Sequence, residues 1–373
     1  MTFEFNGAEL RLARIFNGLA LEEVAERVDK TRQYLHKLET GQAAPTEQLL
    51  RQLAAVLAIE PSFLTTEQTL MIGEDQFHFR KLFTTRAMVK QVAMARGQLI
   101  GRLVSYLDNE LKFPDLRIPE INGVQAMEDV ERAAERCRRE WELGLGPITN
   151  MSRLAENVGA VVTSFHSVSK EIDAMSVATQ RPIIVRNEAK ESVCRQRFDI
   201  GHELGHFVLH TGIATGDRVT EGQANRFASS ILIPRMMMAK LFPKPRGTRL
   251  DWTGLREFKL TWKVSKAAIL YRARQLELIS DNQYKTGVIT LRRTGEATSE
   301  REDHLISPEA PELLFRSLQV LAEKRAIFAE DIACTLKVTP GFLRDVVGFE
   351  LPSRLVVSRQ SPLKRASLYL VAQ

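Results

Sequence analysis

Cysteine is scarce. The three in this 373-residue chain, Cys137, Cys194 and Cys334, lie far apart and form no C-x-x-C pair. That argues against a disulfide framework and against thiolate-bound metal, and for a reducing cytoplasm. Long apolar runs are missing too: no stretch of about 18 residues exists, so neither a transmembrane helix nor a membrane partner is expected. The opening "MTFEFNGAELRLAR" carries charges where a signal peptide needs an apolar core. No internal repeat and no low-complexity tract is apparent. What remains is ordinary for a globular protein, with 44% hydrophobic and 26% charged residues. The length suits about two or three domains, and the net charge of +6 permits a nucleic-acid partner without requiring one.

Residues 7 to 65 read as helices. "GAELRLARIFNG" is amphipathic and stops at Asn17-Gly18, and "LEEVAERV" follows. Thr31 suits the N-cap of "RQYLHKLETG", which Gly41 closes. "TEQLLRQLAAVLAI" ends at Pro61. Residues 79 to 107 read as a long helix without a single acid, carrying Arg80, Lys81, Arg86, Lys90, Arg96 and Arg102. Its basic residues are taken as one solvated face rather than as phosphate contacts. After the break at 112 to 123, "EDVERAAERCRREWELGLGP" and "NMSRLAENVG" are helical. From residue 160 the period changes: "AVVTSFH", "AMSVAT" and "RPIIVRN" are short, β-branched strands. Residues 250 to 280 and 308 to 347 are again helical, joined by the polar "RRTGEATSERED".

Three of the seven histidines fall in "FDIGHELGHFVLH", residues 198 to 210. His202 and His206 are four residues apart, hence about 6 Å and 40° apart on a helix, so both imidazoles can face one metal ion. Glu203 lies on the adjoining edge, placed to take a proton from a water at that metal. His210, about 12 Å and 80° from His202, cannot share the ion; it is expected to cap the helix C-terminus. A catalytic zinc needs a third protein ligand, and residues 209 and 212, Leu and Gly, exclude HExxHxxGxxH. Glu221 is the first candidate and Asp217 the competing one. Asn225, one turn beyond Glu221, is placed to hold a liganding imidazole from behind. His166 and Tyr271 are read as packed or surface residues rather than oxyanion donors.

"FDIGHELGHFVLH" followed by "EGQANRFASSILIP" resembles the ImmA/IrrE family of zinc metallopeptidases, which are glutamate-ligand zincins. The matching positions are His202 to His206, His210, Glu221, Gln223, Ala224, Asn225, Phe227, Ala228, Leu232 and Pro234. Weaker likeness extends to "FRK" at 79 to 81, "REWELGLGPI" at 139 to 148 and "TWKVSKAAILYRARQL" at 261 to 276. The resemblance implies Zn2+ on His202, His206 and Glu221, with Glu203 as catalytic base. It also implies a small sheet whose edge strand holds an extended substrate, often a DNA-bound repressor.

Residues 1 to 65 resemble an Xre-type helix-turn-helix of the phage-repressor class, through "LEEVAERV" and "TRQYLHKLETG". By that resemblance Arg32, Gln33 and Lys37 face base edges in the major groove, while Thr31 meets a phosphate. This stretch has 7 Lys+Arg and 9 Asp+Glu, yet "KTRQYLHK" holds three cations and no acid.

The expected fold is therefore α+β and multidomain. It comprises an all-α helix-turn-helix DNA-binding domain at 1–70, a helical connector at 71–125, a zincin-like metallopeptidase domain with a small sheet at 126–285, and a C-terminal helical region at 286–373. The expected function is a cytoplasmic, DNA-binding zinc endopeptidase and transcriptional regulator. Its partners would be a double-stranded DNA operator and a repressor-like protein substrate, with a homodimer left open. The alternative is a helix-turn-helix regulator whose zinc domain senses or scaffolds without proteolysis.

Overall fold

The computed structural model describes residues 4–66, 72–73, 76–79, 87–165, 174–187, 192–213 and 215–354. Two units divide the chain: residues 1–67 with 315–373, and residues 68–314. The first is thus assembled from both ends of the sequence.

In the first unit, Asn6 accepts the N–H groups of Ala8 and Glu9 and so starts α1 (Gly7–Phe16), which buries Leu10, Ala13 and Phe16. α2 (Leu21–Arg27) and α3 (Arg32–Glu39) are joined by a turn through Asp29 at φ 50°. α3 buries Leu35 and Leu38 and leaves its other face to solvent. The Arg14–Glu39 ion pair, at 2.5 Å and nearly buried, ties α3 to α1. α4 (Glu47–Leu57), capped by Thr46, is followed by a 3₁₀ turn over Pro61–Thr65. Three helices from the far end of the chain complete the unit, α14 (Leu313–Arg325), α15 (Ala329–Leu336) and α16 (Pro340–Val347); α10 (Arg235–Leu241), α11 (Trp252–Trp262), α12 (Lys266–Gln275) and α13 (Asp281–Arg293) belong to the second unit.

The second unit holds a four-stranded sheet of order β1-β3-β4-β2. β1 (Phe77–Phe79) and β3 (Ala174–Val177) are antiparallel, as are β3 and β4 (Ile183–Asn187), whereas β2 (Val161–Phe165) runs parallel to β4. Three strands match the expected ones. β1 does not: it lies where the long helix was expected to begin, and α5 starts only at Ala87 and ends at Glu110. Three residues are too few to display a period of two, so β1 is defined by its partner and not by its own pattern. Arg80, Lys81 and Arg86 lie outside the described residues, as does His166.

Alternation assigns the faces of the sheet. A Cβ on Gly97 of α5 would meet Phe77, Met175 and Val177, so α5 crosses one face at a distance only glycine allows. On the other face Val162 and Ile184 join Ile200, Leu204 and Val208 of α8 (Val193–Leu209) in the main core. α6 (Met127–Glu140) packs beside α9 (Arg218–Leu232), and Glu131 of α6 receives Arg272 in a two-pronged bond of 2.8 and 2.9 Å and Arg226 at 2.5 Å. The acids of the polar 292–303 segment face inward: Glu300 and Asp303 hold the fully buried Lys259 at 2.7 and 2.6 Å, and Glu296 and Glu302 hold Lys266.

α7 (Met151–Asn157) carries a buried acid, Glu156, that accepts the N–H groups of Glu312 and Leu313, each at 3.0 Å. Burial pushes its carboxyl up to about 7 from 4.5. The folded state therefore holds a proton that the unfolded chain releases first, and stability falls as pH rises from about 4.5 to about 7. Glu156→Gln should stabilise the chain at pH 8, by at most about 3 kcal/mol, and do little at pH 4.5. Thermal unfolding at the two pH values measures this; equal shifts at both would contradict it.

Candidate metal centre and recognition helix

α8 and α9 approach closely because of two glycines. A Cβ on Gly201 would sit 3.3 Å from Ala228 Cα, and one on Gly205 would sit 3.2 Å from Phe227 and 3.3 Å from Ala224 Cα. The contact brings the first turn of α9 over the middle of α8. His202 and His206, both buried, then point their Nε2 atoms at each other across 3.0 Å, and Glu221 lies 3.3 Å from each. Among the described residues these three form a group able to hold a metal ion. Donors about 2.0–2.2 Å from a tetrahedral ion lie about 3.3–3.6 Å apart, close to what is found. Glu221 Oε1 is buried and accepts no hydrogen bond among the described residues, as suits an oxygen reserved for a cation. Two imidazoles and a carboxylate fit a borderline cation; no thiol is nearby.

Asp217, the competing candidate, caps α9 instead. Its Oδ1 accepts the N–H groups of Val219 (2.7 Å) and Thr220 (3.2 Å), and its Oδ2 the Thr220 hydroxyl. A side chain one residue before a helix starts is well placed for its free N–H groups and poorly placed to reach across to α8.

Behind the histidines the proton positions follow from geometry. An Nε2 lone pair kept for a metal puts the ring proton on Nδ1. His202 Nδ1 faces Asn225 Oδ1 at 3.1 Å. His206 Nδ1 faces His210 Nδ1 at 2.9 Å, which must then be the acceptor, so His210 carries its proton on Nε2 and donates it to Gln223 Oε1 at 2.9 Å. His210 is thus at the C-cap position, with its backbone N–H on His206 O, but its ring does not cap carbonyls as expected. Side chains on a helix lean toward the N-terminus, and that lean carries the ring back to His206. Burial pushes the His206 imidazole down to about 4 against the pull of Glu221, and burial lowers His210 as well, so both are neutral near pH 7. Burial raises the Glu221 carboxyl, but the His202 and His206 imidazoles beside it outweigh this and hold it well below its usual range.

Glu203 is fully buried, and the hydroxyl of Ser176 on β3 donates to its Oε2. Sequence reasoning missed Ser176, since one serine in a strand carries no signal. It also missed His78 on β1. The His78 ring stacks on His206 at 5.2 Å and 10°, and its Nδ1 lies 2.5 Å from Thr215 Oγ1. Tyr271 is half-exposed and lines a cleft of about 260 Å³ together with Phe198, Asp199 and Asn225, so the cleft shares a wall with the residue that holds His202.

In the other unit, Thr31 accepts the Tyr34 N–H and caps α3. Thr31, Arg32, Gln33 and Lys37 are all exposed on it. Arg32 pairs with Glu22 at 2.7 Å, and both are more than half exposed, so the pair is worth little and can be exchanged for another acceptor. The three cysteines are free thiols; burial pushes Cys137 and Cys194 up to about 12. Among the described residues no helix is long and apolar enough to cross a membrane.

Comparison with known proteins agrees with this division. None of the curated proteins compared with the chain matches it. Among solved structures it is similar to Bacillus thuringiensis PlcR in complex with the peptide PapR7 and DNA, at 12% identity over 92% of this chain and 95% of that one. The TM-score of 0.15 gives that likeness no weight. Residues 10–64 match the helix-turn-helix family model, and residues 155–274, which contain the whole His-His-Glu cluster, match that of the IrrE N-terminal-like domain (Peptidase_M78). The chain carries a helix-turn-helix DNA-binding domain and an IrrE N-terminal-like, peptidase-type domain.

Proposed function

We propose that this protein is a zinc-dependent endopeptidase that also binds DNA and regulates transcription by cleaving a repressor-like protein. The observation that carries this reading is the convergence of His202, His206 and Glu221, with the buried Glu203 adjoining His202 on α8. When bound, the ion would polarise a peptide carbonyl and acidify a water. Glu203 would take a proton from water and return it to the leaving amine, with Ser176 keeping its carboxylate aimed. Asn225 and His210 hold the two imidazoles in the tautomer that leaves Nε2 open to metal. An extended substrate would pair with the outer edge of β1, which among the described residues is an end strand of the sheet.

Zinc is favoured over other cations by the neutral imidazoles and single carboxylate. The purified protein should hold about one zinc per chain, and a cobalt-substituted sample should lack intense thiolate charge-transfer bands. Such bands would require cysteine and would overturn the ligand set.

Arg32 and Gln33 are the proposed base readers, with Lys37 beside them and Thr31 on a phosphate. Arg32→Ala and Gln33→Ala should each cost about 1–3 kcal/mol at a specific site and relax its specificity. Glu22→Ala should leave affinity unchanged or raise it, because it frees Arg32. Titrations against a specific and a random duplex at several salt concentrations test this; equal losses on both duplexes would reduce these residues to phosphate contacts.

A further inference from the structure

The last two helices repeat a segment of the helix-turn-helix unit. Residues 53–64 read LAAVLAIEPSFL and residues 332–343 read IACTLKVTPGFL. Without a gap, Ala54, Leu57, Pro61, Phe63 and Leu64 recur as Ala333, Leu336, Pro340, Phe342 and Leu343, and Ile59 recurs as Val338. The backbone repeats as well. α4 ends on Ala58 at φ 57°, ψ 36°, and α15 on Lys337 at φ 59°, ψ 36°, left-handed positions that non-glycine residues seldom adopt. The next N–H returns to Ala54 O at 3.0 Å and to Ala333 O at 2.9 Å. An extended residue, Glu60 or Thr339, then precedes the proline that opens the following turn. A repeat of this length lies below the periods by which sequence repeats are found, which is why none was apparent from sequence.

The two copies meet. Ile59 and Val338 form an isolated antiparallel bridge. Glu60 N–H donates to Lys337 O at 3.0 Å, and Thr339 N–H donates to Ala58 O at 3.3 Å. Exchanging the copies converts one bond into the other, which is the relation two identical chains have across an isologous interface. Phe342 packs on Phe16 at 4.4 Å, and Lys337 Nζ donates to Thr66 Oγ1 at 2.7 Å. The repeat covers the end of α4 and the turn after it and leaves out α3, so the second copy carries no recognition helix.

We propose that residues 329–348 are a built-in substitute for a second copy of this domain. From within the same chain they fill the surface around Ile59 through which two copies would pair, so each chain presents one recognition helix. A segment carried on the same chain has a higher effective concentration at this surface than a second chain free in solution. The homodimer left open by the sequence is closed at this surface.

The test uses the full chain with Cys334→Ser. Residues flanked in this way by ladder bonds have Cα atoms about 4.5 Å apart, within disulfide reach. Ile59→Cys/Val338→Cys should therefore close a disulfide within one chain under mild oxidation, and Ile59→Cys alone should stay monomeric. Adding Phe342→Asp to Ile59→Cys should release the segment, double the mass in sedimentation equilibrium and give a 59–59 interchain disulfide. Wild type should bind an inverted repeat without avidity over a single half-site. A released chain that still binds DNA yet stays monomeric would overturn the proposal. So would interchain linkage in Ile59→Cys alone, or purely interchain products from the double-cysteine variant, which decides the case if the Phe342→Asp chain does not fold.

Discussion

Glu203→Gln is expected to retain a full equivalent of metal while its peptidase rate falls by about 10²–10⁴-fold. Glutamine keeps the size of the side chain and can still accept the Ser176 hydroxyl, so His202, His206 and Glu221 are left as they are. What is lost is the oxygen able to take a proton. DNA binding belongs to residues of the other unit and should not change. If the variant cleaves normally, the base is another group; if it loses metal, Glu203 is structural. A variant that regulates its promoter like wild type, with the repressor uncut in both, would favour the sensing or scaffolding reading.

Glu221→Ala is expected to have the second large effect, emptying the metal site. It removes the proposed third ligand, whose Oε2 lies 3.3 Å from His202 Nε2 and whose Oε1 lies 3.3 Å from His206 Nε2. Asp217→Ala is the control on the same helix. It should cost about 1 kcal/mol of stability through the lost cap and leave metal content near one per chain. Elemental analysis of the two variants after gel filtration separates the outcomes. Metal lost from Asp217→Ala and retained by Glu221→Ala would invert the assignment.

Part of this site was legible in the sequence because helices repeat at short range. Four residues place His202 above His206, and four more place Asn225 above Glu221, so a pattern within one element reports a shared face. What had to be seen in three dimensions was brought in by tertiary contact. Ser176 and His78 reach the site from strands whose register depends on each other, and β1 is too short to announce itself. His210 was placed correctly at the helix end, but its ring turns back onto His206 because Gln223 of a different helix receives its proton. The acids at 296 to 303 read only as polar in the sequence, because their partners Lys259 and Lys266 lie thirty or more residues away. The pairing of Ile59 with Val338 joins residues too distant for any periodicity to connect.

The reaction proposed for the His202, His206 and Glu221 site is hydrolysis of a peptide bond. The most direct measurement is intact-mass analysis of candidate repressors incubated with the zinc-loaded full chain, with and without chelator. Two fragments are expected, with masses that sum to the repressor plus one water; they should be abolished by chelator, restored by zinc and absent with Glu203→Gln. A repressor that stays whole beside a fully metallated, DNA-binding protein would contradict it.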